Sequence, residues 1–565
     1  MEPTQPKLNY DRLRDKRKTF VKEIRKRPVK EAIEEFSNLS GFKAMVSTTM
    51  HALEWDEEEI KLVETIVSEA EKNTTPQESA RDFLLLSLFM PQHHIPFQEN
   101  LEYLPDEILS IVVENIFQPV EFYHDQIEVE KKGERICRAF QYLAKRLDLD
   151  PHSEQTSPLA ILALKGHDIS PCLNLADKDW QDLMNARARV YIHLLSLKDI
   201  PIEPKDSTKE VPTIPGRVGI FCSHLWDGPS TTLAICLLEA LKPTKAETYF
   251  ICDSAVDKTI QKLAEELADN TVILPTAIID ACESIRKRGF ETLIFTEALH
   301  DSLSPAFLLG IQKLAKNQVV MDTTLTATGF DNLKNLLTCT NPSNPDEAEN
   351  EIHVKGLASA LARGLTTKDD VEKSSRKELG IQEEDTIFTS AADLLTITPE
   401  VRECWMEVLK QNPDTKLLLF PFNDPDIPED QRQLFVQVME MEANNAGIPK
   451  SRLLIMTDTI PTNVHLENLL SLGNIYLDTF PVSNLNPAAI ALRSGLPVVT
   501  KKGKTRRENL VATLLEEQGN PVEAADSNEE YVEIAGRLAI KPIEVTFTPT
   551  SLEPLAEAVL SINNN

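Results

Sequence analysis

The sequence predicts an α/β protein, two doubly wound parallel-sheet domains behind an all-α N-terminal domain, and three observations carry that reading. From Val218 onward, short apolar runs alternate with amphipathic segments, the pattern of parallel strands joined by crossover helices. A stretch rich in Asn, Pro and acidic residues, Asn341 to Asn350, interrupts the alternation, which then restarts. Before Leu197 the reading is nearly all helix, with apolar residues at three- and four-residue steps. At 565 residues the chain is too long for one core. The expected organisation is residues 1–198, all-α; 199–216, a linker; 217–350, the first sheet domain; and 351–565, the second.

Residues 7 to 30 hold eleven Lys and Arg against three acidic residues in a helical pattern. A helix of this kind meets an acidic partner or a membrane, or presents a solvated face. Further helices are expected over Glu57 to Glu71, Ser79 to Phe89, Asp106 to Ile116, Glu134 to Leu147 and Asp177 to Ser196. His93-His94, between Pro91 and Pro96, lies in a loop whose surroundings offer no further ligand, so no metal site is expected. Ile200 to Pro215 is rich in Pro and charge and has almost nothing to bury, hence a linker.

The first sheet domain takes strands at Val218 to Cys222, Thr248 to Cys252, Val272 to Leu274, Thr292 to Phe295 and Gln318 to Met321. The second takes Thr386 to Ser390, Lys416 to Phe420, Leu453 to Met456, Ile475 to Leu477 and Val498 to Thr500. Ligands of such sheets bind beyond the carboxyl ends of the strands. Ser223 to Pro229 and Glu297 to Asp301 therefore fall on a functional edge.

The charge balance of 89 Asp and Glu against 59 Lys and Arg, net −30, argues against broad binding of nucleic acid or anionic membrane. Eight scattered cysteines without a CxxC pair read as reduced thiols, which points to the cytoplasm. No apolar run reaches the roughly eighteen residues of a membrane span, and the N-terminus lacks a signal-peptide core.

The most informative stretch is Gly473 to Glu508. The strand Ile475-Tyr476-Leu477 leads through a loop to Asn484 and Asn486, which can cap a helix. Pro487 suits the first turn, and Ala488 to Ser494 are helix formers ending at Gly495. A second strand, Val498 to Thr500, completes a βαβ unit. Its helix N-terminus, with unpaired N–H groups and the positive end of the dipole, suits a diphosphate, and the cations of KKGKTRR (Lys501 to Arg507) follow.

These residues carry a resemblance. LDTFP, the Asn-containing loop, the small-residue helix and GLPVVT resemble the C-terminal catalytic region of O-GlcNAc-transferase-like proteins, glycosyltransferase family 41, which also holds the bacterial adhesin N-glucosyltransferases. Val218 to Ser230, Phe290 to Gly329 and Ile387 to Phe422 resemble it in the same order, so the likeness spans roughly the last three fifths of the chain. It implies a GT-B fold of two Rossmann-like lobes with a C-terminal helix crossing back to the first. It also implies a UDP-sugar donor held between the lobes, no metal or other cofactor, and inverting transfer to a protein or peptide acceptor. No period of about 34 residues is present, so the helical domain is more similar to that of the bacterial glucosyltransferases than to a tetratricopeptide array. The candidate catalytic residues are His224 and Asp227; the candidate donor-binding residues are Ser223, Thr396, Asn484, Asn486, Ala488, Lys501, Lys504, Arg506 and Arg507.

The chain also departs from the family. Gly228-Pro229 stands for the usual His-Pro, Thr396 for the Lys that meets the donor diphosphate, Asn486-Pro487-Ala488 for Asn/His-Thr-Thr, and Ile490 for the acidic residue that holds the ribose. The kept framework points to a divergent protein glycosyltransferase. The lost polar groups point to a non-catalytic GT-B protein that binds a polypeptide or a partner transferase.

Overall fold

The computed structural model describes all residues except 1–9, 40, 52, 74, 119, 121, 154, 167–168, 176–179, 199, 201, 203–210, 224, 226–227, 254–257, 300–303, 341–349, 366–373, 423–426, 461, 521, 523 and 563–565. Two compact units form: residues 1–119 with 130–167, and residues 120–129 with 168–565.

The first unit is helical. Asp56 opens the helix Glu57–Ala70 with a capping box closed by Glu59, and Thr75 does the same for Pro76–Ser87 through Glu78. The basic N-terminal helix, Tyr10–Ile24, finds its acidic partner inside this unit. Arg17 is buried against Glu59, Lys18 donates to Asp56 at 2.8 Å, Lys22 pairs with Glu58, and Arg25 reaches Glu69 at 2.6 Å. Asp56 and the helix Glu57–Ala70 thus neutralise part of the positive run that stands out in the sequence.

The second unit holds two wholly parallel sheets. The first contains β1 (Ile214–Phe221), β2 (Glu247–Cys252), β3 (Asn270–Ile273), β4 (Phe290–Phe295), β5 (Asn317–Met321), β6 (Asn335–Thr338) and β7 (Asn350–His353), in the order β3-β2-β1-β4-β5-β6-β7. The second contains β8 (Thr386–Ser390), β9 (Thr415–Leu419), β10 (Leu453–Ile455), β11 (Ile475–Leu477) and β12 (Val498–Val499), in the order β10-β9-β8-β11-β12. These are the two doubly wound lobes that the alternation predicts. Two features differ from the sequence reading. β1 starts at Ile214, within the stretch read as linker, where the Ile214 N–H bonds the Gly289 carbonyl at 2.8 Å. The first sheet also continues past Asn341 to Asn350, since β6 and β7 add two short strands to its edge.

One apolar cluster runs through both lobes. It joins the helix Pro229–Leu241 of the first lobe to Leu357–Ala362, Leu485–Arg493, Leu510–Glu517 and the final helix Glu553–Ile562. That final helix packs directly on Pro229–Leu241, so the chain end returns to the first lobe. Buried Arg402 ties residues 120–129 to the second sheet, donating to the Tyr123 carbonyl at 2.7 Å and the His124 carbonyl at 2.8 Å while it pairs with Glu442 at 2.9 Å.

Candidate functional site

In each sheet the strand order reverses direction once, between β1 and β4 in the first and between β8 and β11 in the second. The crevice outside the carboxyl ends at such a point is where open α/β sheets bind ligands.

In the second sheet that crevice is bridged by a small polar network. The Asn484 side-chain amide donates to the Thr396 hydroxyl at 2.7 Å and to the Thr479 hydroxyl at 2.8 Å, and Thr396 donates in turn to the Asp393 carbonyl at 2.8 Å. Asp478, the residue after β11, anchors the turn. One of its oxygens accepts the Thr500 hydroxyl at 2.7 Å and the other the Asn484 N–H at 3.0 Å, while its carbonyl accepts the Tyr531 hydroxyl at 2.8 Å. Asp478 is fully buried, and loss of solvation pushes its pKa up to about 7 against those stabilising donors.

The helix that follows, Leu485–Arg493, takes Asn484 rather than Asn486 as its N-cap. The Asn484 N–H is used by Asp478, Pro487 has none, and the Ala488 N–H bonds the Asn484 carbonyl at 3.2 Å. Leu485 and Asn486 therefore present backbone N–H groups that find no acceptor among the described residues. The Asn486 side chain donates to Asn463 at 3.3 Å. Ala488 and Ile490 are fully buried in the apolar cluster. The helix stops at Gly495, whose φ of +82° a Cβ would oppose.

The basic run after β12 is largely engaged within the protein. Lys501 donates to Glu400 at 3.1 Å and Asn528 at 2.7 Å and lies 4.0 Å from the Phe480 ring centre. Arg506 is buried and reaches the first lobe, donating to Asp322 at 2.9 Å and to the Thr324 carbonyl at 2.5 Å. Arg507, also buried, donates to the carbonyls of Leu173 at 2.9 Å and Leu175 at 2.8 Å. Lys504 is exposed, and its backbone N–H donates to Glu508 at 2.5 Å. Because Asp322 follows β5 and Arg506 follows β12, their pairing brings the carboxyl edges of the two sheets together.

In the first sheet the reversal crevice is spanned by Ser223, after β1, and Glu297, after β4. Ser223 donates its N–H to the Glu297 carboxylate at 2.5 Å and its hydroxyl to both oxygens, at 2.6 and 2.8 Å. His224 and Asp227 lie outside the described residues. Of two carboxylates on these edges, Asp478 is not singled out from the sequence, and Glu297 enters there only as the start of the edge segment Glu297 to Asp301. Each occupies the first or second position after a strand, and that placement is the signal by which they are found.

The sequence profile of glycosyl transferase family 41 matches residues 245–545, more than half of the chain. The chain belongs to glycosyl transferase family 41. Among curated relatives, the probable UDP-N-acetylglucosamine–peptide N-acetylglucosaminyltransferase SPINDLY of Petunia hybrida is 30% identical over 154 residues, which cover 27% of this chain and 16% of the relative. The barley (Hordeum vulgare) protein of the same name is 31% identical over 158 residues, 27% of this chain and 15% of the relative. The chain thus spans about a sixth of the length of the curated relatives it matches. Among solved structures, a lysine-to-methionine mutant of the O-GlcNAc transferase of Thermobaculum terrenum superposes with a TM-score of 0.52 over 95% of this chain and 93% of that chain at 16% identity. That likeness shows a shared fold, GT-B with a helical N-terminal region.

Proposed function

We propose that this family 41 protein binds a UDP-sugar at the facing carboxyl edges of its two lobes and transfers the sugar to a side chain of a protein or peptide acceptor. The observation that carries this reading is the turn anchored by buried Asp478, which presents the N–H groups of Leu485 and Asn486 at the reversal point of the second sheet. Negative charge grows on the diphosphate as the sugar departs, and a helix N-terminus held in place beforehand stabilises that charge without reorganising. The reading needs no metal and no further cofactor; UDP-sugar is the donor substrate. Among the described residues no helix is long and apolar enough to cross a membrane; the scattered, unpaired cysteines support placing the reaction in the cytoplasm.

A second reading is favoured by one observation: Lys501, Arg506 and Arg507 are bonded within the protein, and Thr396 brings no charge. In this reading the cleft binds a polypeptide or a partner transferase without catalysis. Calorimetric titration with UDP, UDP-N-acetylglucosamine and UDP-glucose separates the two. Binding of UDP and at least one sugar nucleotide supports the transferase; absence of all three removes it and leaves the second reading.

A further inference from the structure

The two bridges at the reversal crevices differ in chemistry. That of the second lobe is neutral, built from Thr396, Thr479 and Asn484, and sits beside backbone donors suited to an anion. That of the first lobe is a carboxylate. Glu297 is half-buried and is oriented by both donors of Ser223, whose hydroxyl sits across its two oxygens. A carboxylate has about four acceptor positions, so these contacts fix its direction and leave capacity for another donor.

The backbone of Glu297 is held with equal care. Its carbonyl accepts the Thr324 hydroxyl at 3.4 Å, the same hydroxyl accepts the Leu299 N–H at 3.0 Å, and the Thr324 carbonyl accepts Arg506 of the second lobe at 2.5 Å. Glu297 therefore stands two hydrogen bonds away from the loop that follows β12. Its place relative to the second lobe is set by the bridge that joins the two sheet edges.

We propose that Glu297 is the acceptor-side base of the transfer, a catalytic residue positioned by Ser223. This rests on the donor reading above and adds to it the group on the opposite wall. The acceptor hydroxyl gives its proton to a Glu297 carboxylate oxygen as its own oxygen bonds the anomeric carbon. The bond from that carbon to the diphosphate oxygen breaks, and its electron pair leaves with UDP. In the hydrolysis reaction the group that gives up its proton to Glu297 is a water molecule.

The test uses the full chain with water as acceptor, following UDP release from UDP-N-acetylglucosamine and UDP-glucose together with UDP affinity by calorimetry. Glu297→Gln keeps the size and one acceptor oxygen but cannot take the proton. It is expected to lower donor hydrolysis by about 10²- to 10⁴-fold while UDP affinity and the donor KM stay within about twofold. Ser223→Ala, which releases the carboxylate without removing it, is expected to give a smaller loss of hydrolysis. Hydrolysis by Glu297→Gln at the wild-type rate, UDP binding by a wild type that hydrolyses neither donor, or loss of UDP affinity in step with rate each overturns the base assignment and leaves donor binding standing. A wild type that binds no UDP removes the donor reading, and this assignment with it.

Discussion

Asp478 shows what one buried carboxylate does to the turn it anchors. Its folded pKa of about 7 lies above the ordinary value of 3.8, so between those values the folded state holds a proton that the unfolded state has lost. Stability from this group is complete below about pH 4, falls as pH rises, and is gone above about pH 7, a change of roughly 4 kcal/mol. Asp478→Asn keeps an acceptor for the Asn484 N–H and can donate to Thr500. It is expected to flatten this slope and raise the melting temperature at pH 8, measured by thermal scans from pH 4 to 8; an unchanged slope would show that Asp478 is ionised throughout. Ile490 teaches the opposite lesson. Alignment by resemblance places it where the family holds a ribose, yet the residue is fully buried among apolar neighbours. Ile490→Asp is therefore expected to destabilise by about 3 kcal/mol or more in a denaturant titration rather than to restore a ligand contact. The residue types of the site were legible, but their burial was not, because burial depends on partners far apart in sequence such as Arg506 and Asp322.

Elements were more legible than residues. β11 falls where the run Ile475-Tyr476-Leu477 places it, because a strand buried on both faces leaves a continuous apolar signal between breaks. β6 and β7 escape for the converse reason: β7 is an edge strand with two exposed residues, and only a single 3-10 turn, Asp331–Leu333, leads from β5 into β6. The sequence places the helix Leu485–Arg493 directly after the loop but offers two asparagines, Asn484 and Asn486, as its cap. Asn484 is the cap, and its side chain is spent on Thr396 and Thr479. This gives Asn486→Asp an unusual signature. A carboxylate in the first turn interacts favourably with the helix dipole, by about 0.3 to 1 kcal/mol, and Asn463 can turn its amide to donate to it. The same charge opposes a diphosphate at the N–H groups of Leu485 and Asn486. UDP affinity is expected to fall by about tenfold or more while the melting temperature holds or rises. Equal affinities for the two proteins would place the donor elsewhere.

At the scale of the whole molecule, the alternation of strand and helix is enough to foresee two parallel lobes, and the resemblance implies the final helix that returns to the first, but nothing in the sequence announces the buried ion pair that joins their edges. That pair comes from the basic run that, read alone, looks like a ligand site. Arg506 leaves the second lobe, pairs with Asp322 and caps the Thr324 carbonyl in the first, and both charged side chains are almost wholly removed from solvent. A pair of this kind adds little net stability over an apolar replacement, yet breaking it from one side strands a buried charge. Arg506→Met is accordingly expected to cost about 3 to 5 kcal/mol, since Asp322 is left with the Cys339 N–H as its remaining strong donor. Asp322→Asn still accepts that N–H, so the double variant Arg506→Met with Asp322→Asn is expected to recover about half or more of the loss. Denaturant unfolding of the four proteins measures the coupling, and UDP titration of the same set separates two roles for the arginine. A lobe fastener shows large coupling and affinity that tracks stability. A donor ligand shows weakened UDP binding with stability kept, and that outcome would return Arg506 to the phosphate site.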